Sequence, residues 1–145
     1  MKQCVLTILF VLCWVAVSQA KMVSIAGDMV NMRSGPGDSY EVSWELGQGY
    51  PLSVIAEQDD WLNVIDYEDD SGWVRKDQVA EKPYMVVKRR MVNIRSGPGE
   101  NFRIVRQAQQ GVVFRTLEKK DDWVKVRHEE EDVTGWVLRS LMWGW

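Results

Sequence analysis

Beyond residue 20, short apolar runs recur between turn signals, and no stretch keeps apolar residues at helical spacing for three turns. Trp61-Leu62-Asn63-Val64 and Trp123-Val124-Lys125-Val126 alternate with the period of a half-buried strand. Leu52-Ser53-Val54-Ile55 and Val112-Val113-Phe114-Arg115 follow Gly49 and Gly111 and read as strands. Ser24-Ile25 with Met29-Val30, and Val86-Val87 with Met91-Val92, enter a common turn, and Gly72-Trp73-Val74 and Gly135-Trp136-Val137 leave a hairpin. About five strands in each half predict an all-β chain of two small barrels or packed sheets.

The two halves are copies. Val30-Asn31-Met32-Arg33-Ser34-Gly35-Pro36-Gly37 returns 62 residues later as Val92-Asn93-Ile94-Arg95-Ser96-Gly97-Pro98-Gly99. Tyr40, Val42, Gly49 and Val64 are answered by Phe102, Ile104, Gly111 and Val126, and Asp59-Asp60-Trp61 by Asp121-Asp122-Trp123. The Gly-Trp-Val matches lie at an offset of 63, which places one extra residue in the polar stretch His128-Glu129-Glu130-Glu131-Asp132. Polar insertions between matched apolar blocks belong to solvent-exposed loops. Glu81-Lys82-Pro83 is the linker, short enough for the copies to touch.

Residues 1–20 belong to neither copy. Lys2 is their only charge, Val5 to Val17 is almost wholly apolar, and Ser18-Gln19-Ala20 supplies small residues for cleavage. This reads as a secretory signal peptide, the alternative being a retained anchor. The expected organisation is 1–20 signal peptide, 21–82 first module, and 83–145 second module with an aromatic tail. Both cysteines, Cys4 and Cys13, fall in the first segment, so residues 21–145 carry no disulfide, thiolate or cysteine metal ligand.

Charge separates the copies. Residues 21–82 hold 5 basic and 13 acidic side chains, a net of −8. Residues 83–145 hold 12 and 8, a net of +4, with the basic residues spread rather than run together. Attraction between neighbouring modules, or drift on solvated faces, accounts for this split. An anionic polymer or headgroup met by the second copy also would.

The candidate chemistry is thin. The Arg-Ser-Gly-Pro-Gly phrase reads as a rigid reversal, in which glycine accepts positive φ and proline fixes its own. No helix or P-loop lysine follows it. The Asp-Asp pairs precede strands and read as hairpin turns rather than acid–base or calcium sites. His128 stands alone in the variable loop of one copy, so no triad or zinc set can be assembled around it, and no catalytic residue is assigned. No metal and no cofactor is expected.

Val-Asn-x-Arg-Ser-Gly-Pro-Gly, an aromatic three residues on, then Gly, Trp-x-x-Val and Gly-Trp-Val resemble the bacterial SH3-like (SH3b, SH3 type 3) domain, over about 23–82 and 84–143. The resemblance implies two strongly bent five-stranded barrels, a place outside the cytoplasm, and binding rather than catalysis. It implies as partners peptidoglycan or cell-wall peptides, or alternatively an envelope protein docked by a groove or by the Met142-Trp143-Gly144-Trp145 tail. No nucleic acid and no stable membrane insertion after cleavage is expected. Trp61, Trp73, Trp123 and Trp136 recur and read as packing residues. Tyr40 and Phe102 follow the repeated turn, where related barrels place ligand-facing aromatics. Arg33 and Arg95 either pin that turn or meet a ligand carboxylate. Trp44 and Tyr50 are replaced by Arg106 and Val112 in the second copy, so the fold does not demand an aromatic there. These six side chains, Arg33, Tyr40, Trp44, Tyr50, Arg95 and Phe102, form the expected ligand-binding set.

Overall fold

The computed structural model describes residues 20–145, and the signal-peptide reading lies outside them. The chain is all-β, in two sheets of the same topology. The first holds β1 (Lys21–Ile25), β2 (Met29–Arg33), β3 (Val42–Gly47), β4 (Pro51–Gln58), β5 (Trp61–Ile65), β6 (Ser71–Arg75) and β7 (Val79–Ala80). The second holds β8 (Tyr84–Val87), β9 (Met91–Arg95), β10 (Ile104–Gln109), β11 (Val113–Lys120), β12 (Trp123–His128), β13 (Val133–Leu138) and β14 (Met142–Gly144). Hydrogen-bonded neighbours run β3-β2-β6-β5-β4-β1-β7 and β10-β9-β13-β12-β11-β8-β14. Each sheet thus has seven strands, two more than the five apolar runs suggest. The additions are β3 and β10, whose outer residues are exposed, and the short β7 and β14, each of which follows a 3-10 turn.

Each sheet closes over its own core. Val23, Ile25, Val30, Met32, Leu46, Leu52, Leu62, Val64 and Val74 come from six strands yet form one buried cluster. Among the described residues no second layer covers it, so the sheet must curl around its own side chains to exclude water. Met85, Val87, Val92, Ile94, Phe114, Val124, Val126, Val137 and Met142 do the same in the second sheet, with Ala108. Strand breaks assist the curl: the register slips between Val54 and Ala56 and between Thr116 and Glu118, in the middle of the long β4 and β11.

The Asp-Asp pairs form the tight β4–β5 and β11–β12 turns, where Gln58 faces Trp61 and Lys120 faces Trp123. Asp59 and Asp121 both take φ of 51°, a region that aspartate tolerates better than most residues. The extra residue of the second copy is absorbed by the β12–β13 hairpin, whose strands are each six residues against five in β5 and β6.

That hairpin places His128 at the end of β12, not in the variable loop expected from sequence. His128 aligns with Asp66, and both serve as acceptors for the loop that follows. Asp66 Oδ1 accepts from the Glu68 and Asp70 N–H groups at 2.9 and 3.0 Å. His128 Nδ1 accepts from the Glu131 N–H at 3.2 Å, and its ring lies edge-on to Phe114.

Candidate functional site

The Gly-Pro-Gly turn joins β2 to β3, and its first glycine is needed for space rather than for φ. None of Gly35, Gly37, Gly97 or Gly99 takes positive φ. A Cβ on Gly35 would overlap the Tyr40 ring, and one on Gly97 would overlap the Phe102 ring. The aromatic lies directly on the glycine, one side on the turn and the other in solvent. Tyr40 keeps 48% of its surface exposed and Phe102 46%. A ring held this way has little rotamer freedom left to lose.

Arg33 and Arg95 fasten the same loop. Arg33 Nη1 donates to the carbonyls of Asp38 and Tyr40 at 3.0 and 2.9 Å. Arg95 Nη1 donates to Glu100 and Phe102 at 3.1 and 2.9 Å. The turn-pinning role left open in the sequence is therefore present in both copies. In the first copy Arg75 adds an ion pair to Asp38 at 2.6 Å. Hydrogen bonding from Arg75 holds the Asp38 carboxyl below its usual range, although the pair is solvent-exposed. Replacing Arg33 or Arg95 by Ala should cost about 1–3 kcal/mol, because charge-assisted bonds to two carbonyls are lost. A lower urea midpoint at unchanged slope would report it.

Beyond the turn, β3 and β10 are edge strands, each bonded on one side only. Register slips beside the site, so that Arg33 faces Val42 and Met32 faces Trp44, leaving Ser43 as an extra residue. In the second copy Arg95 faces Ile104 and Ile94 faces Arg106. The edge overhangs the core, and Val42 and Trp44 stay 39% and 54% exposed. Arg106, at the position of Trp44, pairs instead with Glu131 of the inserted loop.

The exposed apolar residues repeat as a set. Met29, Tyr40, Val42 and Ile55 are all exposed, and so are Met91, Phe102, Ile104 and Leu117, each 62 positions later. Val42 and Ile104 lie on this exposed edge and are not among the six residues expected from sequence. Both were visible as repeated positions, but alternation along a strand does not tell an overhanging edge from a buried face.

Tyr50 stands apart. Its half-buried ring packs on the first core, and its hydroxyl donates to Asp66 Oδ2 at 3.0 Å. Its position thus gives it a packing role, with Val112 packing at the equivalent place. Burial first, then the nearby Asp66 charge, pushes the phenol well above its ordinary value. A raised phenol stabilises the fold below the unfolded value of about 10 and loses that contribution as pH rises past it. Thermal melts between pH 8 and 11 should show the first module weakening in alkali, and Tyr50→Phe should flatten that slope.

The repeated tryptophans sit at the core and its rim. Trp61 and Trp136 are buried, and Trp73 and Trp123 are half-buried. Arg75 lies over Trp61 at 5.3 Å. The tail is not free: β14 pairs with β8, the Trp145 N–H donates to Tyr84 O, and Thr116 Oγ1 donates to Trp145 O at 2.7 Å. Among the described residues no three His, Cys, Asp or Glu side chains gather where they could hold a metal ion. No helix of the described residues is long and apolar enough to cross a membrane.

Comparison with known proteins gives a family. The family model "Bacterial SH3 domain" matches twice, at residues 26–81 and 88–144. The "Putative N-acetylmuramoyl-L-alanine amidase YrvJ" of Bacillus subtilis (strain 168) is 28% identical over 124 residues, covering 78% of this chain and 24% of the relative. This chain therefore spans about a quarter of that protein. Among solved structures, NlpC1 from Trichomonas vaginalis is 15% identical, with 88% of this chain and 46% of that chain covered at a TM-score of 0.40. An NlpC/P60 family protein from Bacillus cereus ATCC 10987 is 11% identical, with 86% and 56% covered at 0.39.

Proposed function

Since the chain belongs to the bacterial SH3 domain family through both of its modules, we propose that it is a non-catalytic binding protein of the bacterial cell envelope that holds peptidoglycan or its peptide stems. The observation that carries this reading is the repeated exposed edge: an aromatic seated on a glycine turn, an arginine behind it and an apolar residue beside it, twice. The fold needs neither ring exposed. A module that spent sequence on both has a surface for contact. The named relative, an amidase by its printed name, shares this region as a minor part of its length. A shared non-catalytic part suits a device that keeps a protein on the wall. Residues 1–20 would export the chain to the periplasm or beyond.

Tyr40 and Trp44 would contact the peptide in the first module, and Phe102 and Ile104 in the second. The free guanidinium nitrogens of Arg33 and Arg95 would face its carboxylates. Two weak sites on a repeating polymer gain from effective concentration, so the pair should bind far better than either module alone. Trp44 reports on the site because it is the most exposed tryptophan among the described residues. Soluble stem peptides should shift its emission to the blue, and the Trp44→Phe variant should lose that shift. A fluorescence unchanged at millimolar peptide would count against the site.

A further inference from the structure

The charge difference between the modules has a place. Three turns of the second module are tied together by backbone bonds: Arg139 N–H donates to Asp122 O at 2.8 Å, and Lys88 N–H to Leu141 O at 3.2 Å. These bonds bring the β8–β9 turn, the β11–β12 turn and the 3-10 turn Arg139–Leu141 to one end of the sheet. Lys88, Arg89, Arg90, Lys119, Lys120 and Arg139 are all exposed there. Among the described residues none of the six is in an ion pair.

The first module has the same scaffold. Lys76 N–H donates to Asp60 O and Ala26 N–H to Gln78 O, both at 2.9 Å. Yet its six matching positions are Ala26, Gly27, Asp28, Glu57, Gln58 and Lys76. The six positions thus sum to −1 in one module and +6 in the other, so the fold does not require the cations. In the first module Lys76 and Glu57 form an ion pair at 3.1 Å. Their counterparts are Arg139 and Lys119, so an attraction has become a repulsion on an unchanged frame. Neighbouring like charges destabilise a fold, and an anion between them would remove the cost. The attraction between modules considered from sequence does not absorb these charges: among the described residues the one ion pair between the modules joins Lys82 to Glu129, and the second module's paired cations are Arg106, Arg115 and Arg127.

We propose that this end of the second module binds a linear phosphodiester polymer. A chain can follow cations set on three separate turns, and Lys119, Arg139 and Trp143 also line an open cleft of about 440 Å³ whose other wall is Ala20 with Met22 and Ser53 of the first module. An open cleft between the modules suits a polymer strand better than a flat layer of headgroups. The envelope reading supplies only the setting, since the test contains no peptidoglycan.

The test titrates residues 21–145 with lipid-free poly(glycerol phosphate), and separately with phosphatidylglycerol vesicles, over a range of salt. The chain should bind the polymer, more weakly as salt rises. Lys88→Ala, Arg89→Gly and Arg90→Asp together copy the first module's turn. They should lower affinity at least tenfold and cut the slope of log K against log salt by about 2, as expected for three fewer phosphate contacts on a single strand. Lys119→Glu, which restores the first module's ion pair, should raise the melting temperature while weakening binding. Misfolding cannot produce that pair of changes. Equal affinity and slope in the triple variant, no polymer binding by the parent chain, or binding to vesicles but not to polymer would each overturn the proposal.

Discussion

Ile94→Ala is expected to unfold the second module, and Met32→Ala the first. Both side chains are fully buried at the centre of their clusters. Each lies on a strand between an edge strand and the hairpin that completes the sheet. Truncating a buried side chain of this size costs about 2–5 kcal/mol, because contacts are lost and the cavity collapses only partly. A core in a domain of about 60 residues supplies roughly that much in total. The described residues hold no cysteine or metal cluster that could add to it. Backbone hydrogen exchange should show one module's amides losing protection while the other's remain protected. A cost below about 1 kcal/mol in either variant would mean that the cores are looser than the packing indicates.

Removing the two seated rings should have the largest effect on binding. Tyr40→Ser and Phe102→Ser take away apolar surface that is half exposed already, so stability should change by less than about 1 kcal/mol. Aromatic anchors at a binding surface carry a large share of affinity, and each should cost about 2 kcal/mol or more in wall binding. Because the sites act together on one polymer, either single variant should weaken binding strongly, and the double variant should bring it near background. Gly35→Ala offers an independent route to the same end, since a methyl group there displaces the Tyr40 ring and leaves the rest of the residue in place. Loss of binding in Tyr40→Ser with an unchanged melting temperature separates contact from packing. Full binding by the double variant would remove these rings from the site.

Much of this was legible in the chain. The repeat fixed the number of modules, the alternating runs identified most strands, and the Asp-Asp pairs marked their turns. What escaped depended on distant packing. β3 reads as Val-Ser-Trp-Glu-Leu-Gly and β10 as Ile-Val-Arg-Gln-Ala-Gln, and patterns so unlike each other hide a common edge strand. The glycines of the repeated turn read as positive-φ residues, but at Gly35 and Gly97 an aromatic five residues on sets their identity by steric overlap. Asp66 and His128 share a position but not a chemistry, so their common role as loop acceptors appears only with the hydrogen bonds in view. The cations of the second half looked dispersed, because their turns meet only through backbone bonds between residues far apart in sequence. Of the six residues expected to bind ligand, Arg33, Tyr40, Trp44, Arg95 and Phe102 lie at the repeated turn and its edge strand. The sequence could not show that Tyr50 faces inward while Val42 and Ile104 face out.

The most direct test of the central claim is co-sedimentation of residues 21–145 with purified peptidoglycan sacculi stripped of phosphate polymers, at low and moderate salt. The account predicts saturable binding that survives moderate salt, because aromatic contact is not screened as charge is. It also predicts that the Tyr40→Ser, Phe102→Ser variant stays in the supernatant. A parent chain that stays in the supernatant at both salts would contradict the account.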